Sequence, residues 1–144
     1  MAEQTCWDLD KLKQMVECYC LAYRNPKLDL LEVSKEYKLD IDWKEDKSWP
    51  NAESAGVYAI FGKTGLLYIG KASFNSSVGI RLSTYFKNDN DKDNGGIPQD
   101  DQSWEEPPTY VVTIPTKYSW EAPALEEFLI LQAEPTGNSI GNAK

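Results

Sequence analysis

A chain of 144 residues with 41% apolar and 12% aromatic side chains suits one packed domain, with little room for a second core. It contains 0 histidines, which excludes Ser-His-Asp triads, Cys-His dyads and HExxH zinc sites; bases must come from Tyr, Lys, Asp or Glu, and metal ligands from carboxylates. The net charge of −8 speaks against nucleic acid as a partner for the surface as a whole. No apolar run approaches the roughly 20 residues that span a bilayer, so no membrane partner is expected. Met1–Cys6 lacks a basic region followed by an apolar one, and Cys6, Cys18 and Cys20 include no CxxC pair. Free thiols and a cytoplasmic location are expected.

In chain order, residues 1–50 read as an N-terminal helical extension and residues 51–144 as the main domain. Asp8 is a candidate N-cap, and Leu12, Val16, Tyr19 and Tyr23 recur at helical spacing. Asn25-Pro26 breaks that helix, and a second is expected from about Leu28 to Lys38, with Leu28, Leu31, Val33 and Tyr37 as its inward positions. Residues 49–54 read as a linker. Val57–Phe61 and Leu66–Gly70 are expected strands, joined by the turn Gly62-Lys63-Thr64-Gly65. If Tyr58 and Tyr68 serve one site they must share a face of the sheet. A loop of Lys63-Thr64-Gly65, with Gly65 left-handed in a bulge, provides that parity. A helix starting near Val78–Gly79 carries Arg81 and Tyr85 on one face. Asn88–Pro108 reads as a long polar loop, Tyr110–Ile114 as a third strand, Trp120–Ala133 as a final helix stopping before Pro135, and Ser139–Lys144 as a mobile tail.

Charge is distributed unevenly. From Gly56 to Lys87 there is no Asp or Glu, while Lys63, Lys71, Arg81 and Lys87 give +4; the remainder, −8 less +4, carries −12. An acidic body with one cationic face is the expectation, and Lys63 and Lys87 join it as substrate contacts. Tyr58 and Tyr68 could be ordinary strand tyrosines, or hydroxyls that orient or deprotonate an attacking water. Gly70 would allow close backbone approach to a phosphate. Arg81 is either a solvated helix charge or a guanidinium fork for a scissile phosphate. Lys71 is a phosphate contact or the group that lowers a tyrosine or water pKa. Glu121 and Glu127 read as the wet face of the last helix. Glu126, among Ala122, Leu125, Leu129 and Ile130, reads as a partly buried carboxylate in want of a cation.

Gly56-Val57-Tyr58, Tyr68-Ile69-Gly70-Lys71-Ala72 and Arg81-Leu82-Ser83-Thr84-Tyr85-Phe86 resemble the signature of the GIY-YIG nucleases. Within that family they look most like the N-terminal nuclease domain of the bacterial excision-repair incision subunit. The likeness runs from Gly56 to Asn138 and includes Leu125-Glu126-Glu127-Phe128-Leu129-Ile130 followed by Pro135 and Asn138. It implies an α+β fold, a small three-stranded antiparallel sheet flanked by helices. It further implies one-metal hydrolysis of phosphodiester bonds, with DNA ahead of RNA, and a single Mg²⁺ or Mn²⁺ on Glu126. Tyr58, aided by Lys71, would activate water; Arg81 and Tyr85 would hold phosphate; Tyr68 would position substrate or water; Asn138 would help build the site. Two departures are visible: Val57 stands for the Ile of the name, and the Lys71–Arg81 connection is longer, with Asn75-Ser76-Ser77 as extra loop.

Two other readings compete. One is a binding module that keeps the fold and cuts nothing, which the net acidity favours. The other is a calcium-binding or protein-interaction function centred on residues 88–108. There Asp89-Asn90-Asp91-Lys92-Asp93-Asn94-Gly95-Gly96 opens like a calcium loop, but Asn94 takes the turn-glycine position and Asp100 the twelfth.

Overall fold

The computed structural model describes residues 7–88, 95–99, 102 and 104–138. Helix α1 (Leu9–Tyr23) is capped where the sequence indicates, the Asp8 carboxylate accepting the Lys11 N–H at 2.8 Å. Leu12, Val16, Tyr19 and Cys20 form its buried stripe.

The helix expected from Leu28 to Lys38 does not form. That segment is extended: the Ser34 N–H donates to the Thr113 carbonyl at 2.8 Å, and Tyr37–Lys38 make strand β1. Its apolar residues alternate, with Leu31 and Val33 half-buried and Tyr37 and Leu39 buried, while Glu32, Lys38 and Asp40 are exposed. A period of two belongs to a strand, and it outweighs the helical propensity of the surrounding Leu, Glu and Lys. One helical turn, α2 (Ile41–Lys44), follows.

Strands β2 (Gly56–Gly62) and β3 (Leu66–Ala72) form the expected hairpin. Helix α3 (Val78–Ser83) begins at Ser77, whose hydroxyl accepts the Ile80 N–H at 3.3 Å. Residues 49–54 pack on its start, with the Ala52 and Ser54 carbonyls accepting the Gly79 and Val78 N–H groups at 2.8 and 2.9 Å. The stretch expected as a long loop holds β5 (Gly96–Pro98), paired antiparallel with β4 (Phe86–Asn88). Two glycines permit this: Gly95 takes φ 76°, and a Cβ on Gly96 would collide with the Trp43 ring. Strand β6 (Pro108–Pro115) and helix α4 (Glu121–Ala133) complete the chain order, α4 ending at Glu134 in a left-handed cap before Pro135.

The fold is α+β. The main sheet is antiparallel in the order β1-β6-β2-β3, so it has four strands rather than the expected three. The additional strand is β1, made by the segment that fails to be helical. One face of the sheet carries Val57, Ala59, Phe61, Ile69, Val112 and Ile114 against Leu12 and Val16 of α1 and Leu125 and Leu129 of α4. The other carries Tyr37, Tyr58, Ile60 and Val111 against Leu82, Tyr85 and Phe86. Strand β3 is the edge of the sheet, and α3 and α4 pass on its opposite faces. Among the described residues no helix is long and apolar enough to cross a membrane. Cys18 and Cys20 are free thiols. The calcium-like residues Asp89–Asn94 and Asp100, and the tail from Ser139, lie outside the described residues.

Candidate functional site

The register of the hairpin decides which tyrosines meet. Phe61 pairs with Leu66, but Ile60 pairs with Tyr68 and Tyr58 with Gly70, so Leu67 is the additional residue of a β-bulge. Were Leu67 paired in register, with no bulge, Tyr68 would lie opposite Ala59 and face the other side of the sheet. The expected parity is therefore present, but its source is displaced. Gly65, at φ 145°, accepts the Gly62 N–H at 2.9 Å, and the shift in register comes two residues later at Leu67.

Tyr58 is 0% exposed, and its ring lies across Gly70, where a Cβ would overlap the ring and hydroxyl. Gly70 thus acts by making room for Tyr58, and the space above it is not open to a ligand. Tyr85, just beyond the end of α3, is also buried. Its hydroxyl lies 2.9 Å from that of Tyr58 and donates to that of Tyr68 at 3.2 Å, linking the three phenols into one chain. The spacing of Arg81 and Tyr85 does bring them together, because the Tyr85 N–H still bonds the Leu82 carbonyl after the helix proper has stopped. The Arg81 guanidinium interacts with both Tyr58 and Tyr85, and those contacts, Tyr58 first, raise its pKa.

These groups open onto a cleft of about 360 Å³ lined by Tyr58, Tyr68, Lys71, Ala72, Ser73, Ser76, Arg81 and Glu126. It wraps the free edge of β3, taking Tyr68 from one face, Lys71 from the other, Arg81 from α3 and Glu126 from α4. A larger cleft of about 430 Å³ between α1 and residues 30–33 is lined mainly by apolar surface, and its polar residues, Lys13, Gln14, Glu17 and Glu32, are none of the expected site residues.

Burial is the main electrostatic influence in the smaller cleft. It pushes Tyr58 far above the ordinary phenol value; Tyr85 and Tyr68 add to the rise, and Arg81 opposes it. Tyr68 is raised for the same first reason, then by Tyr85 and Glu126, again against Arg81. Burial also raises Glu126, while Lys71 and Arg81 pull it back. The charge of Lys71 therefore acts on Glu126, holding its pKa down against burial. Among the described residues Glu126 is in no direct ion pair.

Five expected site residues line the cleft together: Tyr58, Tyr68, Lys71, Arg81 and Glu126. Tyr85 lies beneath it, locking the two phenols rather than facing a phosphate. Asn138 also stays outside the cleft. Its side chain accepts the Ile69 N–H at 2.7 Å and donates to the Ile69 carbonyl at 2.8 Å, completing the open edge of β3 and fixing the backbone that carries Tyr68. Lys63 is at the hairpin tip beside Glu106, about 20 Å along the strands from Lys71 at about 3.3 Å per residue. Lys87 is on β4 and does not line the cleft. Two polar lining residues lie outside the expected set, Ser73 and Ser76. They belong to a turn closed by the Ser76 N–H on the Ser73 carbonyl at 2.9 Å, and the hint in the sequence is a serine-rich loop directly after Lys71.

One carboxylate and several hydroxyls form an oxygen-only donor set. Among the described residues no three acidic or thiol groups gather to hold a metal. Such a site fits a hard divalent cation that keeps most of its own water, as Mg²⁺ does, with Glu126 as the protein ligand. Comparison with protein-family models, with curated proteins and with solved structures finds no match to this chain.

Proposed function

We propose that this cleft hydrolyses phosphodiester bonds of nucleic acid, DNA ahead of RNA, as an endonuclease of the GIY-YIG kind. The observation that carries the reading is the convergence of Tyr58, Tyr68, Lys71, Arg81 and Glu126, from β2, β3, α3 and α4, on one cleft. A phosphodiester gains negative charge as water attacks it. Arg81, placed beside the phenols, would bind a phosphate oxygen and stabilise that charge. Lys71 would add a second cation while holding Glu126 ionised against its burial. Glu126 would hold one Mg²⁺ or Mn²⁺, which when bound supplies Lewis-acid stabilisation at the leaving oxygen. Burial keeps Tyr58 and Tyr68 protonated, so neither is a standing phenolate base. Their hydroxyls would orient the attacking water, whose proton would leave to solvent in the cleft as the bond from phosphorus to the leaving oxygen breaks; the linked chain Tyr58–Tyr85–Tyr68 holds those hydroxyls in place.

The net charge of −8 favours a second reading, a module that binds without cutting. Nicking of supercoiled plasmid with Mg²⁺ or Mn²⁺ separates the two. Wild type should nick, and Glu126→Gln should lose about 1,000-fold or more of the rate. Equal nicking by both would remove Glu126 from the mechanism. No nicking by wild type, on plasmid, single strands or RNA, would leave the binding module.

A further inference from the structure

We propose that the cleft takes nucleic acid whose bases are unpaired beside the phosphate to be cut, with Phe74 and the Tyr118–Trp120 pair as the surface on which those bases stack. The proposal rests on the phosphodiesterase reading and specifies its substrate.

Phe74 is 79% exposed, the most exposed large apolar side chain among the described residues. It stands in the turn whose Ser73 and Ser76 line the cleft. Asn75, next to it, holds φ 65°, the left-handed conformation of a tight turn. Tyr118 and Trp120 are 36% and 68% exposed, and their rings stack at 5.6 Å and 15°. The Lys117 ammonium lies 5.7 Å from the Tyr118 ring centre. Gly56 of the central strand pairs with both Ala72 and Pro115, so the two aromatic segments leave the sheet at the same end. That end is the one where Lys71 and Ala72 enter the cleft. Two strand spacings, about 10 Å, separate their points of departure.

The charge pattern selects the occupant. Lys71, Arg81 and Lys117 are few cations for a protein of net charge −8, and a duplex offers its binder chiefly phosphates and base edges. An unpaired strand also offers ring faces, and stacking on aromatic side chains supplies affinity that phosphate contacts here cannot.

The test uses the full chain carrying Glu126→Gln, so that binding is measured without cleavage. Fluorescence anisotropy would follow a labelled 20-nucleotide oligothymidine and a duplex of equal length, with and without Phe74→Ala/Trp120→Ala. The single strand should bind more tightly, with a log–log salt slope near −2, about −0.7 for each of three phosphate contacts. The double substitution should weaken single-strand binding by roughly tenfold or more, leaving duplex binding and thermal midpoint unchanged. Duplex binding as tight as single-strand binding, or no effect of the double substitution, overturns the proposal. If the otherwise wild-type chain still nicks plasmid in that case, the nuclease reading survives. Aromatic-dependent single-strand binding without any cleavage by wild type would have the opposite meaning: stacking stands and the nuclease reading falls. If nothing is bound or cut, both fall.

Discussion

Two carboxylates five residues apart on α4 meet opposite fates. Glu121 is 2% exposed and fully matched: Arg24 Nε and Nη2 donate to its two oxygens at 2.6 and 2.9 Å, and Tyr19 adds a contact at 3.3 Å. Glu126 is half-buried, raised in pKa by that burial, and has only the fields of Lys71 and Arg81 to offset it. The first is a tie between α1 and α4, its charge used up by the fold. The second keeps an unmet demand for positive charge in a cleft that a ligand can enter.

Breaking the tie should have the largest effect on stability. Arg24→Met would leave the Glu121 charge buried without its cation, and should cost about 3–5 kcal/mol in denaturant unfolding. Cleavage per folded molecule should stay unchanged, because Glu121 is turned away from the cleft. Loss of nicking in folded Arg24→Met protein would show that α1 and the cleft are not separable in this way.

A middle-sized effect is expected at the edge of β3. Asn138→Ala exposes or orphans two backbone groups of Ile69 and should cost about 1–3 kcal/mol. Unlike Arg24→Met it should also slow nicking, since the strand it releases carries Tyr68. Unaltered kinetics would show that the bulge and the phenol chain hold Tyr68 unaided.

The smallest effect sharpens the contrast most. A carboxyl whose folded pKa lies above its unfolded value favours folding when protonated and opposes it when ionised. Glu126→Gln should therefore melt above wild type at pH 7, and the gap should close below the ordinary value of 4.5, where the glutamate is protonated in both states. Adding Mg²⁺ at pH 7 should raise the wild-type midpoint and leave the variant where it was. A variant less stable than wild type in metal-free buffer would mean that Glu126 is already satisfied.

How much of the molecule is legible in its sequence follows how local each signal is. Tyr58, Tyr68, Arg81 and Glu126 belong to short motifs on strongly patterned strands and helices, and they meet as expected. Glu121 reads as a wet-face residue because its partner Arg24 is 97 residues away, and nothing around Glu121 announces it. The two-residue strand β1 exists only through Tyr37↔Val111 and Lys38↔Tyr110, pairings invisible in its own sequence, although the alternation of Leu31, Val33, Tyr37 and Leu39 is a local sign of it. Gly70 reads as room for a ligand and serves a tyrosine ring, because a glycine does not say which neighbour needs its space. Parity demands a bulge in the hairpin, and only the pairing itself chooses Leu67 over Gly65.

The Asn138 clamp also sets a timetable. Ile69 and the side chain that covers it are 69 residues apart. At a synthesis rate of about 5–20 residues per second, the edge of β3 waits about 4–14 s after Ile69 is made before Asn138 exists. In that interval the hairpin presents bare N–H and C=O groups to any neighbouring strand, including those of sister chains on the same message. Glu126 arrives only shortly before the clamp, so a nascent chain is prone to stick before it has a finished cleft.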